Sequence, residues 1–269
     1  MTNTAIALSV NLNKIALIRN SREGNNPDLV SYAKKCLAAG ANGLTVHPRP
    51  DQRHIRPEDC YQLAELIRSA KADNPALEFN IEGNPAAPAT QASRSDFSDY
   101  PGFIAIVEQA RPDQATLVPD SGTQLTSDHG FDLIGSADNN RQLRNTISEL
   151  QALDARVSLF MEPDLDQISR ARDIGADRIE LYTGPYADAC IDQPQQAEKI
   201  FQQHCKAAEH AHRIGLGVNA GHDLNLHNLP QYRHLPNLLE VSIGHALTID
   251  SLDIGLTQAM QAYINALAA

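Results

Sequence analysis

Imidazole and carboxyl side chains follow several short apolar runs of this sequence, close to the point where each run ends. His47 and Glu82 close the second and third runs. Glu180 lies in the sixth run, and His222 follows the seventh. An imidazole titrates near neutral pH, and burial can raise the pKa of a glutamic acid towards the same range. One buried histidine is usually structural, but several such groups buried together indicate general acid–base catalysis.

Groups suited to binding anions lie at the same run ends. Arg22 and Arg49 follow the first two runs, and His54 comes shortly after Arg49. Glycine-containing segments at 221–223 and 244–245 follow the seventh and eighth runs, where backbone N–H groups can approach a phosphate closely. Guanidinium groups offer paired donors for a second phosphate, although each arginine alone also fits a surface ion pair. We therefore expect small phosphorylated substrates.

Two kinds of chemistry are disfavoured. Lys14 is the one lysine near a run end, so a lysine Schiff-base aldolase has little support. The first run lacks a His-x-His pair, and the other histidines do not have clear metal-ligand spacing. We predict no metal site, and metal-dependent hydrolysis remains an alternative.

The elements that must position these groups alternate along the chain. Eight apolar runs are short enough for buried strands, and amphipathic stretches of helical pattern lie between most of them. The runs cover residues 6–11, 43–47, 77–82, 114–119, 156–161, 178–183, 215–220 and 239–244. Repeated strand–helix units predict one (β/α)8 TIM-barrel domain over residues 1–269, with a parallel eight-stranded core of Leu, Ile, Val and Ala. A parallel barrel brings all eight strand ends to one rim.

Three of the segments between or after the apolar runs differ in length from the usual strand–helix connection. Only a short helical turn is expected between Pro230 and Pro236, whereas residues 246–269 have the pattern of one helix. Residues 83–101, after the third run, are rich in Pro, Ala and Ser and are too long for an ordinary strand–helix connection. They fit either a surface insertion or a mobile lid at the mouth of the barrel.

The overall composition limits the partners and the compartment. The chain has 269 residues and a formal net charge of −11, so it repels nucleic acid and anionic membranes. No apolar run reaches the length of about 18 residues that spans a membrane. The four cysteines lack C-x-x-C spacing and are expected to be reduced thiols. Together with a start that does not resemble a cleaved signal, these features predict a cytoplasmic protein.

An ordered series of short motifs resembles the pyridoxine 5'-phosphate synthase family across almost the whole chain. The motifs are 10–16 (VNLNKIA), 19–22 (RNSR), 45–49 (TVHPR), 53–55 (RHI), 80–82 (NIE), 117–119 (LVP), 157–160 (VSLF), 179–180 (IE), 183–184 (TG), 186–188 (YAD), 218–222 (VNAGH) and 243–246 (IGHA). The resemblance implies condensation of 1-deoxy-D-xylulose 5-phosphate with 3-amino-2-oxopropyl phosphate, which closes a pyridine ring and releases phosphate and water. It also implies that no metal or organic cofactor is used, and that the chains form homo-oligomers, commonly octamers.

The resemblance also assigns roles to individual positions. His47 and Glu82 resemble the proton acceptors of the family, His222 its proton donor, and Glu180 the residue that stabilises the transition state. The positions that match contacts to the xylulose phosphate are Arg49, His54 and Thr126. Those that match contacts to the amino-ketone phosphate are Asn11, Arg22, Gly244 and His245.

Some positions depart from the best-known members. Asn13 and Lys14 stand where those members have Asp-His, in the region that binds the xylulose substrate. Asp223 replaces a common glycine beside the amino-ketone phosphate, and its carboxylate is expected to point away. We interpret these as variation between branches of the family. The remaining alternatives are a barrel aldolase or isomerase acting on another sugar phosphate, and a barrel that binds a phosphorylated metabolite without catalysis.

Overall fold

The chain folds into a closed barrel of parallel strands. The computed structural model describes residues 5–120, 124–135 and 137–268. Neighbouring strands pair in sequence order, and β8 pairs with β1 to close the barrel. The strands are β1 (Ala7–Asn11), β2 (Gly43–Val46), β3 (Glu78–Gly83), β4 (Gln114–Leu117), β5 (Arg156–Met161), β6 (Arg178–Tyr182), β7 (Gly217–Gly221) and β8 (Leu238–Ile243). The predicted TIM barrel is therefore confirmed, and each strand lies within two residues of its predicted limits.

Helices connect the strands and surround the barrel. Within the described part of the chain they are α1 (Asn13–Asn20), α2 (Leu29–Ala38), α3 (Pro57–Ala70), α4 (Phe103–Ala110), α5 (Ala137–Gln151), α6 (Leu165–Asp173), α7 (Gly184–Asp192), α8 (Pro194–Arg213), α9 (Leu229–Tyr232), α10 (His245–Ile254) and α11 (Leu256–Ala268). The short α9 was predicted, whereas α1 and α7 were not. The prediction of one helix over 246–269 was wrong, because Gly255 at φ 84° separates α10 from α11.

The interior of the barrel is polar, which corrects the expected aliphatic filling. Ser9 and Thr45 hydrogen-bond at 2.7 Å, and the hydroxyl of Thr116 donates to the amide oxygen of Asn80 at 3.0 Å. Apolar side chains instead alternate with these residues and lie buried between the strands and the helices. They include Leu8, Val10, Leu44, Val46, Phe79, Ile81, Val157, Leu159, Ile179 and Leu181. Several of the interior dipoles satisfy one another, as buried polar groups require, whereas the buried hydroxyl of Ser158 has no hydrogen-bond partner among the described residues.

Helix α1 holds the segment that follows β2. The buried guanidinium of Arg19 pairs with the Asp59 carboxylate at 2.5 Å and donates to the backbone oxygen of His54 at 3.1 Å. The side-chain amide of Asn20 donates to the same oxygen at 2.7 Å. An unpredicted helix thus fixes the backbone at His54, one of the predicted site residues.

The long connection between β3 and α4 packs beside the barrel. Thr90 and Tyr100 form a pair of backbone hydrogen bonds, and Arg94 donates to the backbone oxygen of Asn20 at 2.9 Å. The guanidinium of Arg56 lies 3.9 Å from the centre of the Phe97 ring. In this structure the connection is therefore docked against α1 and α3.

Two further features concern the compartment predictions. Among the described helices, none combines the length and the apolar character that crossing a membrane requires. All four cysteines are free, and Cys36 and Cys60 are buried. Burial raises the pKa of Cys36 to about 12, so its thiol is poorly reactive. The cytoplasmic location stays a prediction.

A buried histidine far from the strand ends makes the fold sensitive to acid. His204 on α8 packs among aromatic rings, and its Nδ1 lies 2.7 Å from the Tyr232 hydroxyl. Burial lowers the pKa of His204 to about 4, whereas an unfolded histidine has a pKa of about 6.5. The unfolded chain therefore binds the proton first, so this contribution to stability is present above pH 6.5 and is lost as the pH falls towards 4.

We expect His204→Gln to reduce this acid sensitivity, because glutamine can still accept from Tyr232 but does not titrate. Between pH 7 and pH 5, the variant should lose roughly 2 kcal/mol less unfolding free energy than the wild type. Urea denaturation at both pH values measures the difference. The control is His212→Asn on the exposed surface of α8, which should behave like the wild type. An equal pH dependence in wild type and His204→Gln would contradict the assignment.

Candidate active site

A cavity of about 490 Å³ lies at the C-terminal rim of the barrel. Every residue predicted for the site except Arg22 lines it. Those residues are Asn11, Asn13, Lys14, His47, Arg49, His54, Glu82, Thr126, Glu180, His222, Asp223, Gly244 and His245. Arg22 lies on the exposed turn after α1 and does not line the cavity. The structure thus brings together groups that are scattered over more than 230 positions of the sequence.

His47 stands between two carboxyl groups. Its Nδ1 lies 3.8 Å from Glu82 Oε2, and its Nε2 lies 3.4 Å from Asp120 Oδ2. The side-chain amide of Asn11 donates to the same Glu82 oxygen at 3.4 Å. Burial lowers the pKa of His47, so the neutral imidazole predominates at neutral pH. A neutral imidazole between two carboxyl groups is able to take up a proton.

The two glutamic acids of the site have raised pKa values. Burial, followed by repulsion from Glu180, raises the pKa of Glu82 well above its usual range. Burial and repulsion from Glu240 raise the pKa of Glu180 to about 8. Gly221 on β7 leaves the space that the Glu180 carboxyl occupies, since a Cβ there would collide with Glu180 Oε1. Two acids with raised pKa values at one rim suit repeated proton transfer near neutral pH.

The segment after β2 forms a cationic side of the cavity. Arg49 is 4% exposed, pairs with Asp120 and donates to the backbone oxygen of Gln124 at 3.1 Å. His54 Nδ1 accepts from the backbone N–H of Ile55 at 2.9 Å, which leaves Nε2 as the donor of a neutral imidazole. Burial, followed by repulsion from His47, lowers the pKa of His54 well below its usual range. This side offers two permanent cations, Arg49 and Arg53, and one neutral donor, His54, to an anion.

The Asn13 and Lys14 departures have a structural explanation. Asn13 Oδ1 accepts from the backbone N–H of His47 at 2.9 Å, and Asn13 N donates to Asn11 Oδ1 at 3.0 Å. An asparagine oxygen accepts as an aspartate oxygen does, so the bond to His47 needs no negative charge. Lys14 adds a positive charge to the cavity wall.

His222 is held on an unusual backbone. Its φ is 84° and that of Asp223 is 58°, and both values lie in the left-handed region that favours glycine. The hydroxyl of Thr183 bonds to the backbone oxygens of Gly221 and His222 and so supports this conformation. His222 Nδ1 lies 2.6 Å from Asp223 Oδ2. The Asp223 carboxylate was expected to point away from the site, and it is directed to the imidazole at the cavity wall.

The end of β8 leads directly into a helix that begins at the cavity wall. Gly244 precedes the first turn of α10, and His245 and Ala246 line the cavity. A Cβ at Gly244 would stand 2.9 Å from Asn11 Cβ, so glycine allows the two strand ends to approach closely. Unpaired backbone N–H groups at the start of a helix attract phosphate.

Two important residues were not predicted for the site. Asp120 touches both His47 and Arg49, and Phe160 lines the cavity as an apolar wall. Asp120 directly follows the fourth predicted strand. That position at a strand end was the one feature of the sequence that indicated a place at the rim. Within the described ranges, no three His, Cys, Asp or Glu side chains are grouped as a metal ion would require. Chemistry without a metal remains a prediction.

A parallel barrel with acid–base groups and anion-binding segments at its C-terminal rim is the architecture of barrel enzymes. Residues 8–269 match the family model described as pyridoxal phosphate biosynthesis protein PdxJ. The chain is 49% identical, over 97% of its length and 96% of the relative's, to pyridoxine 5'-phosphate synthase of Xanthomonas axonopodis pv. citri (strain 306). It is 44% identical, over 97% of its length and 98% of the relative's, to pyridoxine 5'-phosphate synthase of Chelativorans sp. (strain BNC1). The chain therefore belongs to the PdxJ family.

Solved structures of low sequence identity share the fold alone. Phosphoribosyl anthranilate isomerase from Thermus thermophilus superimposes with a TM-score of 0.55 at 14% identity, covering 98% of each chain. A 4-hydroxy-2-oxoglutarate aldolase superimposes with a TM-score of 0.54 at 14% identity, covering 97% of this chain and 94% of its own. These barrels support the architecture and carry no argument about the reaction.

Proposed function

We propose that this chain is a pyridoxine 5'-phosphate synthase of vitamin B6 biosynthesis. The substrates would be 1-deoxy-D-xylulose 5-phosphate and 3-amino-2-oxopropyl phosphate, and the products pyridoxine 5'-phosphate, inorganic phosphate and water. The observation that carries the proposal is one cavity whose wall includes Glu82, Glu180, His47 and His222 together with Arg49, His54 and the start of α10. This arrangement fits two phosphorylated substrates and several proton transfers.

Each phosphate has a side of the cavity suited to it. Arg49, His54 and Thr126 form the cationic side and would hold the xylulose phosphate. Gly244 and His245, at the start of α10, would hold the amino-ketone phosphate through backbone N–H groups. The reacting carbon chains would then lie between these sides, above the barrel interior. Binding both ends of the two substrates aligns the amine with the carbonyl group that it attacks.

The proton-transfer groups would serve the steps in turn. The substrate amine forms an imine with the xylulose carbonyl and releases water, which explains why no lysine nucleophile is needed. His47 or Glu82 then removes a carbon-bound proton, and phosphate leaves. Water addition, ring closure and dehydration follow, with His222 as proton donor and Glu180 stabilising the charged transition state. Both glutamic acids have raised pKa values, so each can donate and accept near neutral pH.

A two-substrate assay tests the proposal. We expect the chromophore of pyridoxine and one equivalent of phosphate when both substrates are present, and neither product when one is omitted. His222→Asn should lower the rate roughly 100-fold, because the amide cannot exchange protons. The control is the exposed His212→Asn.

Other outcomes of this assay distinguish the alternatives. Turnover of one sugar phosphate alone would indicate an aldolase or isomerase. Binding of the substrates without any product would indicate a barrel that only binds, and loss of activity with a chelator would indicate a metal enzyme. Assembly into homo-oligomers, commonly octamers, stays a prediction.

A further inference from the structure

One carboxylate outside the cavity wall connects two groups of the proposed site. Asp120 is 5% exposed, and its Oδ2 contacts both Arg49 Nη1 and His47 Nε2, the latter at 3.4 Å. Its other oxygen, Oδ1, is buried and accepts no hydrogen bond from the described residues. Asp120 itself does not line the cavity. It can therefore act on the reaction only through the groups that it holds.

The shared oxygen determines where the imidazole carries its proton. A carboxylate accepts hydrogen bonds and does not donate them, so the nearby Asp120 oxygen favours a hydrogen on the His47 nitrogen that faces it, at 3.4 Å. In a neutral imidazole the other nitrogen then has the free lone pair. That nitrogen is Nδ1, which lies 3.8 Å from Glu82 Oε2. A long contact of this kind is common in proton-transfer pairs before the substrate is bound.

We propose that Asp120 is a positioning residue that holds His47 as its Nε2–H tautomer and aligns Arg49 for the substrate phosphate. Only the effect of Asp120 on catalysis rests on the function proposed above. The tautomer follows from the geometry alone. A simple ion pair would not explain why Asp120 contacts the imidazole as well as the guanidinium through one oxygen. The same carboxylate thus connects phosphate binding with the group that accepts the proton.

The protein without any substitution provides the first test. In solid-state ¹⁵N spectra of histidine-labelled protein at pH 8, His47 should show a protonated Nε2 and an unprotonated Nδ1. The resonances are assigned by their absence in His47→Gln. A His47 that is protonated at Nδ1 overturns the proposal. This measurement uses no substrate, so an enzyme that is active but has the other tautomer refutes Asp120 alone, whereas an inactive protein with the expected tautomer refutes only the proposed function.

The variants test the effect on catalysis. In Asp120→Ala, the oxygen that faces both Arg49 and His47 is lost, so the imidazole proton is free to move from Nε2 to Nδ1. We expect kcat to fall at least about 100-fold, with KM for the xylulose phosphate changed less than about tenfold. Asp120→Glu should keep the tautomer and lose less activity, and it provides the test if the alanine variant does not fold.

A second buried arginine–aspartate pair provides the matched control. Asp59→Ala breaks the pair with Arg19, and the carboxylate that it removes does not contact His47. This variant should lose stability but keep the Nε2–H tautomer of His47. An Asp120→Ala protein with unchanged tautomer and kcat would show that Asp120 is an ordinary ion-pair partner.

Discussion

Glu82→Gln is expected to lower kcat roughly 1000-fold while the cavity keeps its shape. Glutamine has the size of glutamic acid and can still accept from Asn11, but it cannot release or take up a proton. Burial and the neighbouring Glu180 raise the pKa of Glu82 well above its usual range, and the carboxyl group lies beside His47. The substitution therefore removes the proton transfer and leaves the binding contacts.

The measurement is steady-state kinetics with both substrates, together with KM for each. KM should change little, because the two phosphates are held by other residues. The matched control is Glu240→Gln, which makes the same chemical change inside the barrel but outside the cavity wall. It should keep at least about a third of the wild-type rate. Loss of a proton-transfer group lowers a rate by about 100-fold or more, so such a result would show that Glu240 is not one. A Glu82→Gln enzyme with more than about a tenth of the wild-type kcat would remove Glu82 from the proton transfers.

Glu180→Gln is expected to lower activity at least about 100-fold and to stabilise the fold at alkaline pH. In the folded protein the pKa of Glu180 is raised to about 8, whereas the unfolded group has a pKa of about 4.3. The unfolded chain therefore loses this proton first. The contribution to stability is fully present below the unfolded pKa and is lost as the pH rises towards 8. Glutamine never ionises and avoids this loss.

Urea denaturation at pH 5 and pH 8 measures the effect on stability. At pH 8 the free energy of unfolding of Glu180→Gln should exceed that of the wild type by roughly 4–5 kcal/mol, and at pH 5 by only about 1 kcal/mol. Glu108→Gln on the exposed surface of α4 is the control and should change neither value. A variant that is less stable than the wild type at pH 8 would show that the Glu180 carboxyl is favourably solvated or paired. Gain of stability with loss of activity is typical of residues kept for function.

Much of the site was predictable because the barrel repeats one unit. Alternating apolar runs and helical stretches predicted eight strands, and a parallel barrel places every strand end at one rim. The side chains after those runs, such as His47, Glu82 and His222, could therefore be assigned to a common cavity without coordinates. Residues that lie near a strand end in the sequence are near the rim in space, so the prediction depended on local pattern alone.

Other features depended on contacts between distant parts of the chain. The pKa of Glu180 is raised by burial and by Glu240, which follows it by 60 positions in the sequence. The contact of Asp120 with His47 joins the ends of two different strands, and no local pattern indicates it. Arg22 belongs to a predicted motif, yet it lies on the exposed turn after α1 and does not line the cavity.

The sequence by itself determined the order of strands and helices and the set of groups at the rim, because these depend on periodicity and on the parallel closure of the barrel. Only the tertiary structure decided that the barrel interior is polar and which carboxyl groups have raised pKa values. It also decided which nitrogen of His47 faces Asp120. Hydrogen-bond partners and desolvation arise from atoms brought together in space, and spacing along the chain does not contain them.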